Sequence, residues 1–244
     1  MFIGTRVNSL CKARQFNEEQ RRQRTKTDMT TDKSPLHEAS GPCYRAALLV
    51  GPPGVGKGTQ GKMLSQIPGI FHVSSGDMFR ELDRTSKFGQ IFQEYAGIGK
   101  LVPDDITIKI WQDYMATKVR EQTYNPKNDL LILDGIPRNI TQANLMTPFV
   151  QVFKVIYMVC EDREVMFKRI RGRSLKENRI DDAEELVVRY RWDVYKRETE
   201  PLIDYYPQER IRIVDANTLA ADVLYQILST IVPIQKKYFE PPLM

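Results

Sequence analysis

Residues 51–59 read GPPGVGKGT and lie between a short apolar run at residues 46–50 and a helical pattern at residues 57–66. Glycines in such a loop let the backbone curl so that successive N–H groups point to one place, and the start of a helix adds partial positive charge there. Lys57 adds a full positive charge that suits phosphate oxygens. Because the motif and its strand–loop–helix context are both present, the sequence predicts a phosphate-binding loop.

The end of this loop departs from the general pattern. Gly58 stands where Ser or Thr is usual, and Thr59 follows one position later. In the general pattern the hydroxyl at that position contacts a magnesium ion. Whether the Thr59 hydroxyl reaches the metal directly stays open at this point.

Strand patterns alternate with helical patterns along the chain. Apolar runs predict strands at residues 46–50, 70–73, 130–133, 153–159 and 211–214. Helical patterns lie at residues 57–66, at residues 76–82, after Asp104 as the expected N-cap, and at residues 223–231. Strands that alternate with helices form parallel sheets covered on both faces. The predicted fold class is therefore α/β, a three-layer α/β/α fold of the P-loop NTPase type with a five-stranded parallel sheet.

Composition and charge argue against several classes of protein. Hydrophobic residues make up 41% of the chain and charged residues 27%, and no apolar run approaches the ~18 residues that span a bilayer. The net charge is +5, but eight Lys and Arg face five Asp and Glu in residues 1–40, so the rest of the chain is nearly neutral. Bulk charge therefore does not favour nucleic-acid binding. We expect neither a membrane nor a nucleic acid as partner.

The cysteines and the two ends of the chain set further expectations. Cys11, Cys43 and Cys160 form no CxxC motif, which argues against a disulfide scaffold or a cysteine zinc site and favours a reducing, cytoplasmic location.

Residues 1–43 are polar and aperiodic, so we expect a disordered extension. Organelle import by that extension stays open, although its acidic residues argue against a transit peptide. The folded domain is expected at residues 44–232, with a C-terminal tail at residues 233–244.

Five segments together resemble one known family. The string GPPGVGKGTQ at residues 51–60 resembles the nucleotide loop of adenylate kinases and their nucleoside monophosphate kinase relatives. VSSGDMFR at residues 73–80, KLVPD at residues 100–104, LILDGIPR at residues 131–138 and the basic stretch at residues 168–182 follow in the family's order. The resemblance covers residues 46–231. It implies a helical monophosphate-binding segment at about residues 74–104 and a short lid at about residues 170–182, without the zinc-capable insertion of some relatives.

The resemblance also assigns site residues. For ATP binding it implies Gly54, Val55, Gly56, Lys57, Gly58, Thr59, Arg169, Arg173 and Thr218. For AMP binding it implies Ser75, Arg80, Lys100, Leu101, Val102, Gly135, Ile136, Pro137, Arg138, Gln142, Arg179 and Arg191. The catalytic cations it implies are Lys57, Arg138, Arg169, Arg179 and Arg191. Two positions depart from the family, since Ser75 stands for the more frequent Thr and Ile136 for Phe.

Asp134 ends an apolar run, which places one carboxylate at the carboxyl edge of the predicted sheet beside the phosphate loop. A Mg²⁺ ion that accompanies ATP would be held there through water in its coordination shell. Arg169 and Arg173 stand four residues apart, so on a helix they would repel by ~0.2–0.5 kcal/mol. That repulsion is relieved if a polyphosphate lies between them. No zinc is expected.

Two residues compete for the last phosphate-binding arginine. The family's spacing, counted back from residues 200–202, places this arginine at Arg191. Counted forward from Asp182, it falls on Tyr190, which cannot bind phosphate and lies beside Arg189. We take Arg191.

Gln142 matches the family's adenine-reading glutamine. An amide offers a donor and an acceptor together, so it can pair with an adenine edge.

The predicted activity is Mg²⁺-dependent, reversible phosphoryl transfer between ATP and AMP, giving two ADP and serving adenine-nucleotide homeostasis, by a monomer. A UMP/CMP-type kinase on the same fold is the first alternative, and Gln142 speaks against it. A non-catalytic nucleotide-binding protein is a remote one. A GTPase switch is not expected, since the chain has no NKxD-like or DxxG motif. His37 and His72 carry no triad context and are interpreted as incidental.

Overall fold

A parallel sheet forms the centre of the chain in the computed structural model, which describes residues 43–97, 100–177 and 185–240. The side chains at residues 96–97, 173–177 and 185 are outside this description. Apart from Cys43, the expected N-terminal extension also lies outside the described residues, as does Arg179.

The described residues contain the five predicted strands. They are β1 (Tyr44–Val50), β2 (Ile70–Ser74), β3 (Leu130–Asp134), β4 (Val150–Val159) and β5 (Ile211–Asp215), in the order β2-β3-β1-β4-β5. Every pair of neighbouring strands is parallel. The apolar runs form this sheet because helices cover both of its faces, so side chains on either face are buried. The prediction of a five-stranded parallel sheet is confirmed.

The register of the sheet aligns the ends of three strands. Asp134 pairs with Leu49 of β1 on one side and with Ser74 of β2 on the other. The loops that follow β1, β2 and β3 therefore leave the sheet at one edge. After β1 the chain continues to β2 and β3 on one side and later to β4 and β5 on the other. Ligands of open parallel sheets bind in the crevice outside the carboxyl ends at such a reversal.

Helices connect the strands and form the two outer layers. In chain order they are α1 (Lys57–Leu64), α2 (Ser75–Arg80), α3 (Lys87–Gly97), α4 (Asp104–Arg120), α5 (Ile140–Met146), α6 (Arg163–Glu177), α7 (Glu185–Val194), a π-helix (Tyr195–Thr199), α8 (Leu202–Tyr205), a 3₁₀-helix (Gln208–Arg210) and α9 (Ala220–Tyr238). Two hydrophobic cores separate these layers. Leu131 and Leu133 of β3 pack into the core with Trp111, and Leu130 and Ile132 pack into the core with α9.

The last helix is longer than the sequence analysis predicted. We expected residues 233–244 to be a tail, but α9 continues through Pro233 to Tyr238. Ile234 is buried, and the Tyr238 ring stacks on Phe153 with centroids 4.6 Å apart. Residues 233–238 therefore belong to the folded domain, because the apolar stripe of the helix extends beyond the proline.

None of the helices within the described ranges combines the length and apolar composition needed to cross a membrane.

The buried sheet should carry much of the stability. Ile132 in β3 is fully buried, whereas Ile213 in β5 is 60% exposed. We expect Ile132→Ala to lower the free energy of unfolding by about 2–5 kcal/mol, because it leaves a cavity between sheet and helices. The matched change Ile213→Ala should cost about 1 kcal/mol or less. Urea unfolding of both variants measures this, and equal losses would contradict the burial pattern.

Candidate active site

The phosphate loop lies between β1 and α1, where its glycines adopt conformations that other residues avoid. Gly54 has φ +81°, and a Cβ there would lie 2.6 Å from the main-chain oxygen of Met166. Gly56 has φ +107° and is the N-cap of α1, with no side chain bonded to the helix start. The first N–H groups of α1 thus face the loop, which suits an anion.

Lys57 folds back over the loop that precedes it. Its Nζ donates to the carbonyl oxygens of Gly51 at 2.7 Å and Pro52 at 3.1 Å. These bonds hold the ammonium group above the loop rather than out in solvent. A full positive charge therefore lies beside the N-terminus of α1, where both favour phosphate oxygens.

A cleft of about 590 Å³ opens at the loop. Of the predicted site residues it is lined by Gly54, Val55, Gly56, Lys57, Gly58, Thr59, Arg80, Asp134, Arg169 and Thr218. The guanidinium of Arg169 donates to the carbonyl oxygen of Ala216 at 3.2 Å, and the Thr218 hydroxyl donates to Asp222 at 2.8 Å. The cleft thus brings α6 and the β5–α9 loop to the phosphate loop.

A second cavity, of about 60 Å³, lies toward α2 and α4. It is lined by the predicted residues Ser75, Arg80, Lys100, Leu101, Val102, Gly135, Arg138, Gln142 and Arg191. Phe79 and Phe92 also line it, with stacked rings 5.1 Å apart. Arg80 lies on both the cleft and this cavity, and its Nη2 contacts Asp77 at 2.6 Å.

A third cavity, of about 90 Å³, shares lining residues with each of the other two. Lys57 lines both this cavity and the cleft. Arg138 and Arg191 line both this cavity and the second one. Leu101, Gly135 and Pro137 are further predicted residues in its wall. Cations from three separate segments therefore line neighbouring cavities.

Ser75 and Gly135 hold the Arg138 side chain. The Ser75 hydroxyl donates to the Gly135 carbonyl at 2.8 Å, and Arg138 Nε donates to the same carbonyl at 2.9 Å. Arg138 Nη2 donates to the Ser75 hydroxyl at 3.1 Å. Gly135 has φ +72°, which turns the chain sharply after β3. This triangle fixes the guanidinium against the cavity wall.

Gln142 is 1% exposed, and protein groups contact both ends of its amide. Oε1 accepts from the Arg138 backbone N–H at 2.7 Å, and Nε2 donates to Asp104 at 2.8 Å. Asn139 donates to both Asp104 carboxylate oxygens, at 3.0 and 3.1 Å, and caps α5 by accepting from the Gln142 N–H. We expected Asp104 to be the N-cap of α4, but Pro103 has that place and the carboxylate points toward α5 instead.

Asp134 is 7% exposed at the end of β3 and lines the cleft. Within the described part of the chain, its one recorded polar neighbour is His72 Nε2, at 3.9 Å. The oxygens that face the cleft thus accept no hydrogen bond from the described residues, which suits a water-coordinated Mg²⁺. The described residues include no group of three metal-ligating side chains, and Mg²⁺ commonly takes one carboxylate plus phosphates and water.

The structure places the two competing arginines differently. Arg191 lines two of the cavities, whereas the Arg189 guanidinium lies over the Phe167 ring at 5.1 Å from its centroid. Ile136, expected at the AMP site, is instead 1% exposed in the hydrophobic core and lines none of the three cavities. The Arg173 side chain and Arg179 lie outside the described residues.

Sequence reasoning missed several residues near the site. Tyr195 and Thr199 of the π-helix line the cavity beside Lys57, and no sequence signal predicted this segment. Burial, then the hydrogen bond with Tyr157, raises the Tyr195 pKa far above its usual value, so this wall is neutral. His72, interpreted as incidental, has a buried Nε2 with no hydrogen-bond partner among the described residues and lies beside Asp134.

Fold and site together define a P-loop nucleotide-binding protein in which a second pocket adjoins the phosphate-loop cleft. The family model for adenylate kinase matches residues 49–211. Similar proteins include the adenylate kinases of Corynebacterium urealyticum, 39% identical over 72% of this chain and 93% of that protein, and of Cyanothece sp., 37% identical over 74% and 91%. That of Hydrogenobaculum sp. is 35% identical over 75% of this chain and 98% of its own. The chain belongs to the adenylate kinase family.

Alanine substitutions at two glycines, one in the phosphate loop and one in α6, should change the free energy of unfolding in opposite directions. Gly54→Ala should lower the free energy of unfolding by about 1–3 kcal/mol, because φ is positive and the methyl group meets a main-chain oxygen. Gly172 lies in α6, where an added Cβ meets nothing within 4 Å. Gly172→Ala should raise the free energy by about 0.5–1 kcal/mol. Chemical denaturation measures both, and a neutral Gly54→Ala would refute the crowded loop.

Proposed function

We propose that the chain catalyses reversible phosphoryl transfer from MgATP to AMP, giving two ADP. The observation that carries this proposal is that neighbouring cavities share their lining cations. Lys57 lines both the cleft and the third cavity, and Arg138 and Arg191 line both the third cavity and the second pocket. A donor triphosphate and an acceptor monophosphate in these two pockets would meet among those cations. Membership of the adenylate kinase family supports the same reaction.

The cleft is the proposed ATP site and the second pocket the proposed AMP site. In the cleft, the loop N–H groups, Lys57 and Arg169 face the triphosphate, and the backbone near Thr218 lines the adenine. In the second pocket, Arg80 and Arg138 bind the acceptor phosphate, and Gln142 faces the base. Arg191 is the proposed cation between donor and acceptor. The family resemblance adds Arg173 and Arg179 to the lid side.

The reaction depends on positioning and charge. An AMP phosphate oxygen is already anionic near neutral pH, so the attacking group needs no general base. The cations bind the oxygens on which negative charge is distributed during transfer, and a positioned donor of this kind contributes about 2–4 kcal/mol. The bonds from Ser75 and Gly135 hold Arg138 in place beforehand, so little reorganisation is needed when the substrates bind.

Asp134 is the residue that would hold Mg²⁺, through water. The ion would supply further positive charge to the phosphate oxygens of ATP. Asp134 is well placed for this because it ends β3 beside the phosphate loop and directs no oxygen to a hydrogen-bond donor in the described cleft.

Further proposals concern the oligomeric state, the location, the cellular role and the N-terminal extension. We propose that the protein acts as a monomer, since the described parts of both pockets come from one chain. Cys43 and Cys160 are free thiols, which supports a reducing compartment such as the cytoplasm. There the reaction would serve adenine-nucleotide homeostasis. The polar residues 1–43 are proposed to be an extension outside the catalytic domain.

A substrate panel tests the proposed function. With MgATP as donor, AMP should be phosphorylated with a higher kcat/KM than CMP, UMP or GMP, because the buried Gln142 amide suits the adenine edge. ADP formation is measured by a coupled assay, and Lys57→Met provides the inactive comparison. A higher kcat/KM with CMP or UMP would point to the pyrimidine-specific alternative. ATP binding without turnover of any monophosphate would support the non-catalytic one.

The two arginines of α7 form a matched pair. Arg191→Ala should lower kcat/KM for AMP about 100-fold or more, because a cation is lost from the space between the pockets. Arg189→Ala, which removes a cation that stacks on Phe167, should lower it less than about 3-fold. Steady-state kinetics with both variants show which arginine is the phosphate-binding residue. A larger loss in Arg189→Ala than in Arg191→Ala would assign phosphate binding to Arg189.

A further inference from the structure

The Gln142 amide is held by two groups of opposite hydrogen-bonding character. The Arg138 backbone N–H can only donate, and it meets Oε1 at 2.7 Å. The Asp104 carboxylate can only accept when ionised, and it meets Nε2 at 2.8 Å. One N–H and one oxygen lone pair of the amide remain, and Gln142 lines the second cavity.

We propose that Asp104 is a positioning residue that determines base specificity. It locks the Gln142 amide in the orientation that matches a 6-aminopurine and opposes a 6-oxopurine. This inference rests on the proposed function, since it concerns the base of the acceptor monophosphate.

The two kinds of purine present opposite patterns to an amide. Adenine offers a donor at its 6-amino group and an acceptor at N1, whereas hypoxanthine offers an acceptor at O6 and a donor at N1. A glutamine that rotates its amide by a half-turn exchanges its own donor and acceptor. A freely rotating glutamine can therefore pair with either base, and a locked one can pair with one of them.

The structure opposes that rotation at both ends of the amide. After a half-turn, Oε1 would face the Asp104 carboxylate and Nε2 would face the Arg138 N–H. Each contact would then join two groups of the same kind at a residue that is 1% exposed, and unpaired polar groups are costly in such a place.

Asp104 and Arg138 are themselves held in place. Asn139 Nδ2 donates to both carboxylate oxygens, so Asp104 cannot turn away without losing two contacts. The Arg138 side chain is bonded to Gly135 and Ser75, which anchors the residue whose N–H meets Gln142. The orientation of the amide is thus set by the tertiary structure before a base enters.

The test is the ratio of kcat/KM for AMP to kcat/KM for IMP, the matching 6-oxopurine monophosphate. In Asp104→Asn the new amide can turn its oxygen to Asn139 and its N–H groups to Gln142, so the contact that opposes the half-turn at this end of the Gln142 amide is relieved and the Arg138 N–H alone opposes it. We expect the ratio to fall about 10-fold or more, with a real gain in kcat/KM for IMP and little change in the KM for ATP.

Asp105→Asn is the matched control, because Asp105 is exposed in the same first turn of α4 and loses the same charge. It should keep the wild-type ratio. Asp104→Ser, whose hydroxyl also donates and accepts, is the second variant. Calorimetric binding of AMP and IMP to the same preparations measures the preference without turnover, and thermal unfolding reports whether each variant is folded.

An equal loss of kcat/KM for both nucleotides in Asp104→Asn and Asp104→Ser would overturn the inference, since it would indicate a structural role alone. That outcome would leave the proposed function intact, because AMP would still be the preferred substrate of the unaltered chain. Failure of the unaltered chain to phosphorylate AMP would instead overturn the proposed function, and the inference with it.

Discussion

The parallel pairing of β1, β2 and β3 at their carboxyl ends is the constraint on which the site depends. Because Asp134 pairs with both Leu49 and Ser74, the segments that follow the three strands leave the sheet at the same level. The first holds Lys57, the second leads to Ser75, and the third contains Gly135 and Arg138. A shift of one residue in any of these pairs would turn every side chain of that strand to the other face of the sheet. The cavities exist because this register is maintained by cores on both faces.

The second constraint is that several positively charged side chains lie close together. Lys57, Arg138 and Arg191 share one small space, where like charges repel. Neutral acceptors from the protein contact two of them, since Lys57 donates to loop carbonyls and Arg138 donates to Gly135 and Ser75. Carbonyl and hydroxyl dipoles position a cation without neutralising it. The same use of short polar contacts recurs around Gln142, where Asp104 and the Arg138 N–H hold a neutral amide.

Much of the fold could be predicted because its signals are local. Each buried strand is an apolar run, and the apolar positions of α9 recur with a helical period, so neighbouring residues suffice to identify these elements. The phosphate loop was recognisable for the same reason, since its glycines and Lys57 are contiguous. The extent of α9 was not predicted, because the apolar pattern was followed only to residue 231. Packing of Ile234 in the core and of Tyr238 on Phe153 stabilises the helix beyond that point.

The sequence by itself determined the fold class, the phosphate loop and the kinds of side chain available to bind nucleotides. Tertiary structure alone decided which of them meet. Arg191 reaches the cavities and Arg189 stacks on Phe167 because of how α7 packs, while Ile136 turns into the core. The bond between Asp104 and Gln142 joins residues 38 positions apart. Such contacts follow from the placement of whole elements, and short-range spacing carries no information about it.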